Sequence, residues 1–367
     1  MDRRTFLQTA SSVAFGLQQT IAEPAKSNAV PIRLGFDTYS LRAFQWKAMQ
    51  LLDWAATQKV DTIQISSSGD YESLEPAHLA RVREHAASLG IALDAGIGCI
   101  CPTSTSWSAA NGDPIENLIN GLRIAKAIGA DSMRCFMGTD KDRRTPGGIE
   151  PHMEKTILVL RAARTQALDI GVKIGLENHA GDMQAREVRT IIEEAGKDFV
   201  GACLDSGNPM WVMEDPMVTL EILGPYVVTS HIRDSVVFEH PRGAAAQWVA
   251  LGDGIVDYKA FVARYRELCP GANMQLEIIT GRPPRVLPYL EQDFWKLFPK
   301  ANAAEFARFV ALERRGHPFD GFMVTEDGAS DPPEVFKAAL REQQKLDLQR
   351  SLDYAKTALG VGVKWRG

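Results

Sequence analysis

Short runs of apolar, often β-branched residues recur along the chain between longer stretches whose apolar positions repeat every three or four residues. The short runs fall at 32–37, 62–66, 92–97, 132–137, 172–177, 200–205, 227–232 and 274–279. The helix-type stretches include 46–58, 76–89, 115–128, 154–168 and 186–195. Several of them stop at a glycine placed to cap a helix C-terminus: Gly90, Gly129, Gly171 and Gly196. A strand followed by an amphipathic helix at a regular interval predicts parallel β/α units, and eight of them predict a closed (β/α)₈ barrel rather than an open sheet. A doubly wound sheet is the alternative. It is weakened because Phe36-Asp37-Thr38-Tyr39-Ser40, after the first run, lacks the glycines of a dinucleotide-binding turn.

After the eighth run the alternation breaks. Residues 281–331 are rich in proline and aromatic side chains, and a closing amphipathic helix follows at about 333–359. The segment reads as an insertion between strand 8 and helix 8. Loops that follow barrel strands lie at the catalytic end, so a lid over the site is expected, with an aromatic contact in a homo-oligomer as the other reading. With 367 residues, 45% of them hydrophobic, residues 31–367 suffice for one large core and a single domain.

The first 30 residues stand apart as a leader. Asp2-Arg3-Arg4-Thr5-Phe6-Leu7-Gln8 and the mildly apolar run over 9–22 resemble a twin-arginine export signal, which implies an exported, periplasmic enzyme; a disordered basic tail is the alternative. Neither this run nor any later segment has the length and apolarity of a membrane-spanning helix, so no stable membrane insertion is expected. A net charge of −5 gives no general attraction to nucleic acid. Five cysteines, an odd number, do not form a disulfide framework, and Cys99 and Cys101 are spaced unlike any common zinc-ligand pair.

The chemistry concentrates at the ends of the later runs. Glu177 ends Gly175-Leu176-Glu177-Asn178-His179, Asp205 ends Cys203-Leu204-Asp205 before Ser206-Gly207-Asn208, His231 opens His231-Ile232-Arg233-Asp234, and Glu277 lies in Gln275-Leu276-Glu277-Ile278. One carboxylate after an apolar run means little, but four ligand-type groups at successive strand ends would converge at the mouth of one barrel. Three carboxylates and an imidazole need a divalent cation to sit close together, and oxygen-rich ligation favours Mn²⁺ first, with Mg²⁺, Co²⁺ or Zn²⁺ also suited.

These motifs, together with Leu251-Gly252-Asp253-Gly254-Ile255-Val256-Asp257, resemble the xylose isomerase-like barrel superfamily, in particular its sugar-phosphate isomerase/epimerase and ketose 3-epimerase branches. The resemblance implies a TIM barrel with one divalent metal on Glu177, Asp205, His231 and Glu277. It also implies a sugar or keto-sugar substrate enolised through an enediolate, with Glu177 and Glu277 as the acid/base pair. Asn208 stands where the ketose 3-epimerases carry a histidine, and Val237 where they carry a substrate-binding arginine, for which Arg233 and Arg242 are the candidate substitutes. His179 is a third candidate acid/base, while His152, Trp107, Trp248 and Arg282 are candidate substrate contacts. The same site would suit β-elimination from a 3-keto-glycoside. Readings of another class are an endonuclease IV-like nuclease, which the absence of histidines at strands 2 and 3 disfavours, and a non-catalytic sugar-binding protein.

Overall fold

The structure is a computed structural model in which residues 31–326 and 331–367 are described. The candidate export signal within residues 1–30 lies outside the described residues. The strands are β1 (Leu34–Asp37), β2 (Thr62–Ile65), β3 (Ala92–Cys99), β4 (Ser132–Phe136), β5 (Lys173–Glu177), β6 (Val200–Asp205), β7 (Val227–His231), β8 (Asp234–His240), β9 (Gly243–Val249), β10 (Met274–Leu276) and β11 (Arg285–Leu287). The α-helices are α1 (Ala48–Thr57), α2 (Pro76–Ser88), α3 (Pro114–Ile128), α4 (Glu150–Ala162), α5 (Arg164–Ile170), α6 (Ala185–Ala195), α7 (Pro216–Leu223), α8 (Tyr258–Leu268), α9 (Ala303–Glu313) and α10 (Glu334–Thr357).

Eight strands form one parallel sheet in the order β10-β1-β2-β3-β4-β5-β6-β7. It closes on itself where Ile232, just past β7, donates to the Gln275 carbonyl and accepts from the Glu277 N–H. The chain is therefore a (β/α)₈ barrel. Close approach at one seam demands glycine: a Cβ on Gly35 would lie 2.0 Å from the Thr62 carbonyl oxygen and 2.4 Å from Gln275 Oε1.

The strands have two unlike faces. Ile63, Ile65, Met133 and Ile174 belong to the apolar layer shared with the helices, while the lumen carries hydrogen-bonded polar side chains. Buried Asp94 accepts from Ser132, Thr229, Asn273 and Gln275. Lys173, at the start of β5, keeps its charge out of the barrel. It is exposed, and its ammonium donates to the Asp198 carbonyl.

Two features depart from the simple eightfold pattern. After β7 the chain makes an antiparallel hairpin, β8–β9, which β11 extends to a three-stranded sheet. The insertion over 281–331 supplies β11 and α9, and its Phe294, Phe298, Phe309 and Leu312 form a second apolar cluster with Met210, Val212, Val237 and Leu287. Its aromatics thus have an intramolecular partner, the hairpin beside the barrel mouth.

Beneath the turn into α7, buried Glu214 accepts from the Ala185 N–H and the Thr219 hydroxyl. Burial pushes its carboxyl up to about 7. A folded-state value raised above the unfolded one leaves stability untouched at pH 4 and erodes it as pH rises toward 7. Over that interval the unfolded chain ionises and the folded chain does not. Glu214→Gln should therefore be more stable than the wild type at pH 8, by about 3 kcal/mol on this shift alone, with the advantage gone at pH 4. Urea melts at the two pH values read this directly, and an equal difference at both would refute it.

Candidate metal centre and active-site cleft

Glu177, Asp205 and His231 are the last residues of β5, β6 and β7, and Glu277 follows β10 by one residue. Parallel register sets Asp205 beside His231. One ligand atom from each of the four lies within 4.8 Å of the others, comparable to the roughly 4.2 Å between opposite ligands of a six-coordinate ion with bonds of about 2.1 Å. All four side chains are buried.

The flanking motifs hold these groups in place. Asn178 spans the ends of β5 and β6: its amide donates to the Asp205 carbonyl and accepts from the Asp205 N–H, both at 2.9 Å. Asp205 Oδ1 accepts from the N–H groups of Gly207 and Asn208, each at 2.7 Å, which curls Asp205-Ser206-Gly207-Asn208 back over the carboxylate. Gly207 also makes room for Arg233, whose Nε would lie 2.5 Å from any Cβ there. The Leu251–Asp257 motif serves a different purpose. The Asp234 carboxylate takes backbone N–H bonds from Gly252, Gly254 and Val256, tying this loop to the start of β8.

Two buried arginines enter the cluster. Arg134 from β4 donates to Glu177 Oε2 at 2.5 Å. Arg233 pairs with Glu277, with Asp205 Oδ2 at 2.5 Å and with Asn208 Oδ1 at 2.9 Å. Behind His231, Nε2 meets Gln64 and lies 3.4 Å from Asp37 Oδ2. On its other side Nδ1 is 3.4 Å from Glu177 Oε1 and 3.5 Å from Glu277 Oε2, yet it has no hydrogen-bond partner among the described residues.

Charge states why that orphan matters. Asp37, Glu177, Asp205 and Glu277 carry four formal negative charges in the buried cluster, against two positive charges on Arg134 and Arg233. With His231 neutral the remainder is −2, which one divalent cation cancels. The residues present therefore fit such an ion. Burial alone would raise the Glu177 carboxyl, but Arg134, His231 and His179 bring it down to about 2. Burial opposes ionisation of Glu277 too, and His231 with Arg233 still holds it well below the ordinary carboxylate range. Asp205 goes the other way: burial, with Glu177 and Glu277 adding, pushes it up to about 7 against the pull of Arg233. Burial would lower His231, but Cys203 and the carboxylates of Glu277, Glu177 and Asp37 outweigh it and raise the imidazole well above its usual value. A proton on His231 and a metal ion at Nδ1 are alternatives, so loading the site releases the proton.

A cleft of about 670 Å³ opens over the cluster and is lined by His179, Asn208, Arg233, Trp248, Glu277 and Arg282 among others. Glu277 alone of the four ligand candidates lines it. His179 stacks on Phe136 with ring centres 3.8 Å apart and bonds through Nδ1 to the Gly138 carbonyl at 2.7 Å. Since a carbonyl only accepts, Nδ1 carries the hydrogen and Nε2 is the basic nitrogen. Burial lowers the His179 pKa and keeps the ring neutral. Arg282 is paired with Glu326 at 3.1 Å on the rim.

Other expected contacts lie elsewhere. His152 is buried, and both of its ring nitrogens are taken, Nδ1 by Thr103 at 2.9 Å and Nε2 by Thr145 at 2.7 Å; it fixes the loops after β3 and β4 and does not line the cleft. Trp107 packs against the barrel's apolar layer and is likewise not part of the cleft. Trp248 does line it, but without a free face for a sugar. Trp211 stacks on one side at 4.0 Å, and the Arg233 guanidinium lies over the other at 4.2 Å. Sequence reasoning passed over Arg134, Asp37 and Gln64. The signals available were an arginine inside the otherwise apolar run 132–137 and, in Asp37, a carboxylate that ends the first run.

The chain belongs to the xylose isomerase-like TIM barrel family, whose sequence model matches residues 52–296. It is 25% identical over 244 residues to 3-oxo-isoapionate decarboxylase of Pectobacterium atrosepticum, covering 62% of this chain and 78% of that protein. Among solved structures it superposes on D-psicose 3-epimerase with a TM-score of 0.57 and 17% identity, over 90% of this chain and all of the other. The IOLI protein with a binding zinc atom gives a TM-score of 0.52 at 17% identity, over 76% of this chain and 95% of the other. At these identities the structural likenesses bear on the fold.

Proposed function

We propose that the chain is a divalent-metal-dependent isomerase or epimerase that moves a proton at the carbon beside the carbonyl of a sugar or keto-sugar. The observation that carries this reading is His231 Nδ1, buried, unpartnered and facing the carboxylates of Glu177 and Glu277. When bound, a divalent ion supplies a Lewis acid and a template for a carbonyl and its neighbouring hydroxyl, which acidifies the C–H between them.

The chain's own residues supply the rest. Glu177 and Glu277 flank His231 from β5 and β10, which have β6 and β7 between them. One is suited to take the proton and the other to return it, and retention or inversion depends on which face each serves. Glu277, open to the cleft, is the better placed to meet substrate first. Arg134 and Arg233 keep the two carboxylates ionised, and Asn208, which lines the cleft, donates to Glu177 and the Asn178 carbonyl and accepts from Arg233, tying the arginine to both.

A second reading is favoured by His179. A neutral imidazole with its basic Nε2 free of the Gly138 contact is a third acid/base in the cleft, which an epimerase with two glutamates does not need. In elimination from a 3-keto-glycoside such a base takes the proton from the carbon beside the carbonyl, and the imidazolium so formed returns it to the departing oxygen as the C–O bond breaks. Similarity to a 3-oxo-isoapionate decarboxylase supports a reaction that breaks a bond and does more than move a proton. Manganese-loaded protein incubated in D₂O with free ketoses, aldoses and 3-keto-glycosides should place deuterium on the carbon beside the carbonyl in at least one of them. The product separates epimerisation from elimination. No exchange with any member of the panel would favour a sugar-binding protein instead.

A further inference from the structure

The insertion reaches the metal ligands through a stack of side chains. Arg285, on β11, lies over the Trp211 ring at 4.5 Å. Trp211 lies parallel to Trp248, with centres 4.0 Å apart and planes inclined by 6°. The far face of Trp248 carries the Arg233 guanidinium at 4.2 Å. Both faces of each indole are therefore occupied, and the order Arg285, Trp211, Trp248, Arg233 is continuous.

Its two ends are anchored by carboxylates. At the rim Arg285 pairs with Asp140 at 2.5 Å. At the centre Arg233 divides its donors between Asp205 and Glu277, two of the four candidate ligands. Trp248 is further held by its Nε1–H, which donates to the Gly207 carbonyl at 3.1 Å, in the turn that caps Asp205. The elements that bring these rings together are distant in sequence: β9 carries Trp248, the turn after β6 carries Trp211, and β11 pairs with β9 to deliver Arg285.

We propose that this stack sets the position of Arg233, and through it the carboxylates of Asp205 and Glu277, which makes Trp211 and Arg285 positioning residues for metal binding although neither is near enough to be a ligand. The physical reason is that guanidinium on indole and indole on indole are attractive but soft contacts. Each layer holds the next only while all are present. Arg233 has two carboxylates to choose from, and without a fixed plane behind it the guanidinium can follow either. Groups that orient a metal's ligands typically contribute ten- to hundredfold to its affinity. The inference rests on the metal reading above.

Manganese dissociation constants measured by calorimetry on full-length wild type, Trp211→Leu, Trp211→Phe and Arg285→Met test it without any substrate. Trp211→Leu and Arg285→Met should each weaken binding about tenfold, while Trp211→Phe, which keeps an aromatic face between Trp248 and Arg285, should stay within threefold of wild type. Arg285→Met should bind weakly yet melt, when metal-free, at the wild-type temperature, because its side chain is partly exposed at the rim; a purely structural contact would lower the melting temperature and leave the affinity alone. If Trp211→Leu fails to fold, Arg285→Met decides the matter. Wild-type affinity in the two disruptive variants overturns the inference alone, whereas a wild type that binds no divalent ion overturns both it and the metal reading.

Discussion

Protein stripped of divalent ions should melt about 5 °C below the same protein supplied with manganese at a hundred times its dissociation constant. At that excess, an ion that binds only the folded chain stabilises it by about 2.7 kcal/mol, and a domain of this size gains roughly 2 °C per kcal/mol. The sign follows from the buried cluster, where four carboxylates face two guanidinium groups and an imidazole. Without the ion, a proton on His231 offsets one of the two excess negative charges. His231→Ala removes both the proton carrier and the nitrogen ligand, so its melting temperature should no longer respond to manganese. Differential scanning calorimetry on the four samples settles it: coincident transitions for stripped and loaded wild type would remove the ion from the account.

Glu277→Gln should lower deuterium exchange into substrate by 10² to 10⁴-fold at saturating manganese, the range expected when a positioned proton-transfer group is lost. The amide has nearly the carboxylate's shape but cannot accept a proton, and the change removes one of the two charges that Arg233 bridges, leaving Asp205 as its partner. Stripped Glu277→Gln should melt no lower than stripped wild type, since the cluster's negative excess shrinks by one. The pairing of lost exchange with retained stability separates a chemical role from a structural one. Exchange within tenfold of wild type would exclude Glu277 from proton transfer, and would shift attention to Glu177 and His179.

The barrel and the four strand-end side chains were legible because the apolar runs are short and separated by helix-length stretches, and those over 172–177, 200–205, 227–232 and 274–279 each carry a ligand-type residue at, or within two residues of, their end. Periodicity reports local geometry, and the parallel register of a barrel turns that local order into convergence. What failed to show was whatever depended on distant partners. Arg134 looks like a blemish in an apolar strand until Glu177, 43 residues on, meets it. His152 looks accessible at the head of a helix, and two threonines from other loops close it off. The hairpin was hidden for a different reason: β9 begins Gly243-Ala244-Ala245-Ala246, too small for a strand signal, and the turn Pro241-Arg242 lacks the Asn-Gly chemistry that marks tight hairpins. Trp248 was expected at the cleft as a platform for sugar, whereas its two faces are spent on Trp211 and Arg233.

The two buried guanidinium groups also bear on how the protein would acquire its ion. They already draw Glu177, Asp205 and Glu277 inward, so an arriving cation meets a gathered ligand set and cancels the negative charge that Arg134 and Arg233 leave over. Uptake on these terms trades the His231 proton for an ion inside a finished fold, and it needs no unfolding of the barrel to begin.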